Sequence, residues 1–154
     1  MELVLWRHAE AEFGEPDLGR QLTSKGEKQA RRVAEWLHAR LPATTRILVS
    51  PARRAEQTAQ ALLDLAPRKM KSVAELAPGA GVDDILRAVD WPQAKVPVLM
   101  VGHQPTIGHV ASYLLSGRAQ DWSVKKGAVW WLSARERDAQ EQVILRAVIN
   151  PELI

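Results

Sequence analysis

The feature that most constrains this chain is a set of three apolar runs, each followed at once by a reactive or charged segment. The run LVLW leads into Arg7-His8, and the run VLMVG leads into His103. Between them, ILV leads into Ser50 and a segment with two adjacent arginines. Such runs are typical of buried strands in parallel sheets, which build their sites at the carboxyl ends of strands. We therefore expect the three strand exits to converge, and the supply of His, Arg and His favours a pocket for a phosphoryl group.

Hydrophobic periodicity predicts helices that alternate with these strands. Ser24 and Glu27 resemble a capping box, and Ser50 with Pro51 favours a helix start. The alternation predicts an α/β fold: one domain spanning 1–154, with a mostly parallel sheet, helices on both faces and an antiparallel edge. Strands are predicted near 2–7, 46–49, 72–76, 97–101, 127–133 and 142–149, and helices near 24–41, 51–65, 82–89 and 106–116. In the Trp130-Trp131 pair, one ring is predicted in the core and one outward.

Composition restricts the classes of function. The chain has 154 residues, a net charge of +3 and no cysteine, so neither a disulfide nor a cysteine-ligated metal is available. No basic stretch followed by a long apolar segment opens it, and no apolar run is long enough for a membrane span. Basic and aromatic residues do not interleave as they do in nucleic-acid binders. We therefore expect a cytoplasmic protein, a monomer, with neither membrane nor nucleic acid as a partner.

Four sequence elements then resemble those of the histidine phosphatase superfamily, which has a phosphoglycerate-mutase-like fold. They are Arg7-His8-Ala9 after the first strand, Leu22-Thr23 with Gly26, the segment SPARRAEQTA that contains Arg54, and Gly102-His103 with Pro105. They occur in the family's order across most of the chain. The small size, with no room for a cap domain, is most similar to the SixA-type phosphohistidine phosphatases.

The resemblance and the residue types together imply a mechanism. His8 would attack phosphorus as a neutral imidazole, and Arg7 and Arg54 would hold the phosphoryl oxygens. His103 would donate a hydrogen bond to the transferring group. Arginines and histidines supply the positive charge, so neither a metal nor another cofactor is expected. These four residues are the predicted site: catalytic His8 and His103, and substrate-binding Arg7 and Arg54.

The substrate class rests on two further expectations. A short chain without a cap domain predicts an open, shallow pocket that admits a side chain on a folded protein. Many family members also carry a glutamate as proton donor, and Glu75 here does not match its spacing. A weak or missing acid favours phosphohistidine, because imidazole leaves more easily than an alkoxide. We therefore expect a metal-independent phosphatase acting on phosphohistidine of a protein.

Alternatives remain open at this point. The same pocket suits small phosphate esters such as sugar phosphates or nucleotides, and a non-catalytic phosphoprotein-binding module is a further alternative. Arg53 is a weaker phosphate-binding candidate than its neighbour, and His38 and His109 are expected to be structural or exposed. A basic stripe on the first helix is expected to be a solvated face, with docking of an acidic protein as the alternative: Lys25, Lys28, Arg31 and Arg32.

Overall fold

A computed structural model of residues 1–154 contains six strands and four α-helices arranged around one sheet. In chain order the elements are β1 Glu2–Arg7, α1 Ser24–His38, β2 Arg46–Val49, α2 Arg53–Leu63, β3 Met70–Ser72, α3 Val82–Ala88, β4 Val98–Gly102, α4 Thr106–Ser116, β5 Val129–Arg137 and β6 Gln140–Ile149. None of the helices is both long and apolar enough to cross a bilayer.

The sheet has the strand order β3-β2-β4-β1-β5-β6. The strands β3, β2, β4 and β1 pair in parallel, whereas β5 pairs antiparallel with β1 and with β6. This confirms the predicted α/β class, the mostly parallel sheet and the antiparallel edge formed by the last two strands. The carboxyl ends of β2, β4 and β1, which precede the three reactive segments, consequently lie side by side.

The strands β1, β2, β4 and β5 contribute to two hydrophobic cores, one on each face of the sheet. Because side chains alternate along a strand, Val4 and Trp6 enter the core beneath α1 and α2, whereas Leu3 and Leu5 enter the core beneath α3 and α4. All four are fully buried. The sequence of β1 is apolar without interruption because both of its faces are buried. The fold therefore has three layers, with the sheet between α1 and α2 on one face and α3 and α4 on the other.

Helix termini depart from the predictions at three places. The cap of α1 is Thr23, whose hydroxyl accepts from Gly26 N–H, so the predicted Ser24–Glu27 capping box is wrong. The helix also ends at His38, three residues before the predicted end, although Leu41 remains buried. Ser50 does not cap α2, because the helix begins only at Arg53 and Ala52 occupies its N-cap position.

Two predictions about strands also need correction. The short third strand covers Met70–Ser72 and not 72–76, because its three residues pair in parallel with β2. One ring of the tryptophan pair lies in the core, as predicted, but the other does not point freely into solvent. Trp131 is buried and meets Trp36 edge to face, while Trp130 is half-buried and packs near Trp122. Both faces of β5 are covered, so both rings find packing partners.

Candidate active site

The three strand exits are joined by backbone hydrogen bonds. His8 N–H donates to Gly102 C=O and Ser50 N–H donates to Val101 C=O, each at 3.0 Å. These bonds extend the parallel pairing of β4 with β1 and β2 by one residue beyond the strand ends. As a result the rings of His8 and His103 lie with their centroids 5.1 Å apart. We call Arg7, His8, Arg54 and His103 the strand-exit site.

The hydrogen bonds of His8 determine which ring nitrogen carries the proton. Its Nδ1 lies 2.7 Å from the carbonyl oxygen of Ala9. A carbonyl only accepts, so Nδ1 must be the protonated nitrogen and Nε2 must hold the lone pair. Arg54 Nε donates to that Nε2 across 3.3 Å, which fits the same tautomer. The free nucleophilic electron pair of His8 therefore faces the Arg54 guanidinium.

The environment of His8 keeps its ring neutral. Burial lowers the pKa of His8 to about 4, and the positive charges of Arg54, Arg7 and Arg20 act in the same direction. The bond to Ala9 opposes these effects without outweighing them. At neutral pH the imidazole consequently has the lone pair that a nucleophile requires.

His103 is fixed through the opposite nitrogen. Its Nε2 lies 2.7 Å from the hydroxyl oxygen of Ser50, which also accepts a hydrogen bond from Ala52 N–H at 3.2 Å. The Ser50 proton has no other acceptor, so it is donated to Nε2, and Nδ1 of His103 carries the ring hydrogen. That Nδ1 is buried and has no hydrogen-bond partner. An unpaired buried donor is costly, which marks this atom as one that a ligand would satisfy.

His103 is also neutral. Burial lowers its pKa to about 3, and the positive charge on His8 in its protonated form and on Arg54 contributes further. Asp17 acts in the opposite direction but does not outweigh them. Both imidazoles are therefore neutral, and the hydrogen-bonded nitrogen is Nδ1 in His8 and Nε2 in His103.

Arg54 is almost fully buried and is already partnered by a residue that the sequence did not suggest. Its Nη1 donates to the backbone carbonyl of Asp17 at 2.8 Å, and its Nη2 to the Asp17 carboxylate at 3.2 Å. Arg20 forms a second ion pair with the same carboxylate, at 3.0 Å. Burial alone would raise the pKa of Asp17, but the hydrogen bonds and charges of Arg54 and Arg20 lower it. Asp17 is therefore a carboxylate at neutral pH.

This contact makes the site less open than the sequence predicted. His8 is 9% exposed, whereas Arg54 and His103 are each 3% exposed. The segment around Asp17 lies against Arg54. The side chains of these three residues are therefore less exposed than an open, shallow pocket predicts, and for Arg54 the contact with Asp17 is one cause.

Arg7 lies at the edge of the site and is half-buried. Its Nη1 donates to Val124 C=O at 2.7 Å, and its Nε is buried without a partner. Burial lowers the pKa of Arg7, and no carboxylate lies within ion-pairing distance of it. Its donors consequently remain available for an anion.

Polar side chains of α1 and α2 anchor the loop that follows His8. The Thr58 hydroxyl accepts from Ala9 N–H at 3.0 Å, and Gln57 Oε1 accepts from Leu22 N–H at 2.8 Å. Gln29 Oε1 accepts from Glu10 N–H at 3.0 Å. Ala9 itself is buried and is not among the residues with positive φ, so its methyl group causes no backbone strain. The Gln-Thr pair of α2 thus positions the strand exit that carries His8.

Several polar residues that the sequence raised lie outside the site. Arg53 and Glu75 are exposed, and neither forms a hydrogen bond or ion pair with the four site residues. His38 is exposed at the end of α1. His109 pairs with the exposed carboxylate of Asp121. No cluster of three or more His, Cys, Asp or Glu residues is arranged to hold a metal ion.

Sequence reasoning missed the residues that support the site. Asp17 and Arg20 lie in a loop without periodicity, and Ser50 was interpreted as a helix cap. The only available signal was that Ser50 follows a buried strand, as His8 and His103 do.

The comparisons with known proteins agree with this geometry. Residues 3–82 match the model of the histidine phosphatase superfamily (branch 1). The phosphohistidine phosphatase SixA of Escherichia coli (strain K12) is 31% identical over 123 residues, which cover 76% of each chain. The chain therefore belongs to the histidine phosphatase superfamily, and this membership supports a phosphatase activity.

Solved structures show the same fold over nearly the whole chain. A protein proposed to be a phosphohistidine phosphatase SixA, from Nakamurella multipartitia, superposes with a TM-score of 0.80 and 32% identity, covering 97% of this chain and 95% of that one. A protein histidine phosphatase SixA complexed with tungstate has a TM-score of 0.78 over 99% of both chains. At 24% identity, the second likeness shows the fold alone.

Proposed function

We propose that this protein, acting as a single domain of residues 1–154, removes the phosphoryl group from phosphohistidine on a protein. The reaction would pass through a phosphorylated His8. The observation that carries this proposal is the buried, neutral His8, whose Nε2 lone pair faces Arg54 beside a second buried histidine. Binding alone would not need such a nucleophile.

The reaction has two steps. In the first, Nε2 of His8 attacks phosphorus while the P–N bond of the substrate breaks, and the substrate imidazole leaves and takes up a proton from solvent. In the second, a water oxygen attacks phosphorus while the bond from phosphorus to Nε2 of His8 breaks; dihydrogen phosphate leaves with the water protons, and His8 is again neutral with its lone pair on Nε2. Each step transfers the phosphoryl group once, so the enzyme returns to its starting state.

The other site residues stabilise the transferred group. Arg7 and Arg54 offer planar, charged donors to its oxygens, and an incoming phosphoryl group would compete with Asp17 for Arg54. The unpaired Nδ1–H of His103 would donate to a third oxygen. Charge that develops in the transition state would thus meet donors already in place.

The choice of phosphohistidine over a phosphate ester rests on proton supply. Asp17 is the one carboxylate hydrogen-bonded to a site residue, and its lowered pKa keeps it ionised. An ionised carboxylate cannot protonate an alkoxide leaving group. Imidazole needs less assistance, so a P–N bond suits this site better than a P–O ester bond. The likeness to SixA proteins described as phosphohistidine phosphatases supports the same substrate class.

We further propose that the reaction needs no metal, because Arg7, Arg54 and His103 supply the donors that a divalent ion supplies in other phosphoryl transfers. Turnover should therefore be unchanged in EDTA. Loss of activity on chelation that a divalent ion restores would contradict this part of the proposal.

A side-by-side turnover assay tests the substrate class. The wild-type protein is given a phosphohistidine protein, p-nitrophenyl phosphate, and a panel of sugar phosphates and nucleotides. We expect the highest kcat/KM for the phosphohistidine protein. A sugar phosphate or nucleotide better by about tenfold, or about 1.4 kcal/mol of transition-state binding, would replace the proposal with a small-ester phosphatase.

A further inference from the structure

A groove rich in positive charge includes Arg7, one of the four residues of the strand-exit site. Its volume is about 680 Å³, and Val124 is the one hydrophobic residue among those that line it. We call it the basic groove, and its cationic residues are Arg7, Lys25, Lys28, Arg32, Lys125 and Lys126.

The charge of the basic groove is not balanced from within the molecule. Six cations face only two carboxylates, Glu10 and Glu152, which gives a net charge of +4, larger than the +3 of the whole chain. Lys125 pairs with Glu152 at 3.7 Å. The other lysines and Arg32 have no carboxylate within 4.0 Å. The groove therefore has an excess of cations without counter-ions.

The structure also corrects which residues of the first helix form this surface. Lys25, Lys28 and Arg32 recur at helical spacing on one face and line the groove, whereas Arg31 points into a different depression beside α2. Two distant segments, around Lys125 and around Glu152, complete the groove. A solvated helix face alone would not require this assembly from three parts of the chain.

The groove adjoins the strand-exit site through Arg7. Arg7 belongs to both, and its guanidinium is bonded to the groove wall at Val124 C=O. Gly127 N–H, just beyond the Lys125-Lys126 pair, donates to the backbone carbonyl of His8 at 3.1 Å. An acidic surface seated in the groove would therefore present its phosphorylated side chain next to the nucleophile.

An exposed aromatic residue favours a protein over a small polyanion. Phe13, the single phenylalanine of the chain, is 97% exposed on the loop that carries Asp17, and Leu18 on the same loop is 49% exposed. Singly exposed apolar residues are common on protein surfaces, but these two lie on the loop that contacts Arg54 and offer additional contact area to a protein partner. A small ligand would make no use of them.

We infer that the basic groove docks an acidic surface of the phosphorylated protein substrate and orients its phosphohistidine toward His8. This inference rests on the proposed function, because it names the surroundings that the substrate phosphohistidine should have. The charges of the groove would select among phosphohistidine proteins, while the strand-exit site would carry out the same chemistry on all of them.

The test compares two variants with the same change of charge. The first is Lys25→Glu/Lys28→Glu/Arg32→Glu in the groove. The control is Arg31→Glu/Lys69→Glu/Lys71→Glu, whose three residues are exposed and lie outside the groove. The substrates are two phosphohistidine peptides of equal length, one flanked by glutamates and one by glutamines, together with p-nitrophenyl phosphate.

We expect the wild type and the control to prefer the glutamate peptide by about tenfold in kcat/KM, chiefly through KM, because three exposed charge pairs contribute roughly this much. The preference should disappear in the groove variant and weaken as salt rises. Turnover of p-nitrophenyl phosphate should stay within about twofold in all three proteins, because no site residue is changed. A preference that persists in the groove variant would overturn the inference.

Binding separates this inference from the proposed function. Fluorescence anisotropy with the unphosphorylated glutamate peptide should show binding to wild type that is lost in the groove variant. If this holds while neither phosphopeptide is hydrolysed, the substrate class fails and the docking surface stands. If the peptide does not bind, and tripolyphosphate inhibits wild type but not the groove variant, the groove holds a small polyanion and the inference is wrong.

Discussion

The exits of β1 and β4 each carry a buried histidine, His8 and His103. The two rings, however, form their fixed hydrogen bonds through different nitrogens. At the β1 exit, Nδ1 of His8 donates to Ala9 C=O, which leaves an Nε2 lone pair beside Arg54. At the β4 exit, Nε2 of His103 accepts from Ser50, which leaves an unpaired Nδ1–H. Burial makes both rings neutral, and the hydrogen-bond partner decides which ring offers electrons and which offers a proton.

The comparison predicts the largest loss at the β1 exit. His8→Ala removes the only lone pair that faces Arg54, so kcat should fall by at least about 10³-fold while the protein stays folded by circular dichroism. His38→Ala, at an exposed histidine, is the matched control and should keep wild-type turnover within about twofold. Normal turnover by a folded His8→Ala protein would show that His8 is not the nucleophile.

The β4 exit should show a smaller but still large effect. His103→Ala removes a hydrogen-bond donor to the transferred group, so kcat should fall by about 10²–10³-fold. The loss should appear in kcat more than in KM, because the donor acts most strongly on the charge of the transition state. Equal turnover by the variant would mean that His103 is only a packing residue.

The neutrality of both rings gives a prediction about pH. At pH 5 the neutral fraction of His8, with its pKa of about 4, should be roughly thirty times that of an unperturbed histidine with a pKa of about 6.5. ¹⁵N NMR of the histidine rings, assigned with the His8→Ala variant, should show His8 and His103 neutral, with one ring proton each, from pH 8 to pH 5. Protonation of either ring near pH 6.5 would contradict the comparison.

The same pKa values fix the sign of a stability effect. Both folded-state pKa values are depressed below the unfolded value, so the stabilising contribution of the neutral rings is complete above about pH 6.5. It should be lost as pH falls from there toward 4, because the unfolded chain takes up protons first. Chemical unfolding measured at pH 7 and pH 5 should show the decrease.

The smallest effect should come from Ser50, the hydrogen-bond partner of His103 at the β4 exit. Ser50→Ala removes the hydroxyl that donates to His103 Nε2, so the ring loses its fixed tautomer and kcat should fall by about tenfold. Ser50→Thr keeps the hydroxyl and should restore most of the activity. ¹⁵N NMR should show Nδ1 protonated in the wild type and mixed tautomers in the alanine variant. An unchanged tautomer would show that Ser50 only fills space.

The sequence predicted the parts of this arrangement that follow from periodicity. The apolar runs before His8 and His103 indicated buried parallel strands, and the parallel sheet then brought the strand ends together. The same pattern predicted the β2 exit at Ser50. The resemblance to the family then indicated Arg54, at the start of α2, as a site residue. Periodicity thus identified which residues converge.

Hydrogen-bond partners could not be predicted in the same way. Asp17 reaches Arg54 from a loop 37 positions away in sequence, and Ser50 reaches His103 across 53 positions. Neither contact has a periodic signature, because each depends on the tertiary position of a single side chain. For this reason the contact of Asp17 with Arg54 was not predicted and the Ser50 helix cap was wrong, although the strand exits themselves were correctly identified.

The most direct test of the account is the position of the phosphoryl group during turnover. The phosphoenzyme, formed in protein labelled with ¹⁵N-histidine and quenched in base, is analysed by ³¹P–¹⁵N coupling and by mass spectrometry of the peptide that contains residue 8. We expect a phosphoryl group on Nε2 of His8 and none on His103. A phosphoryl group on Nδ1 of His8, or on His103, would contradict the roles that the hydrogen bonds assign to the two rings.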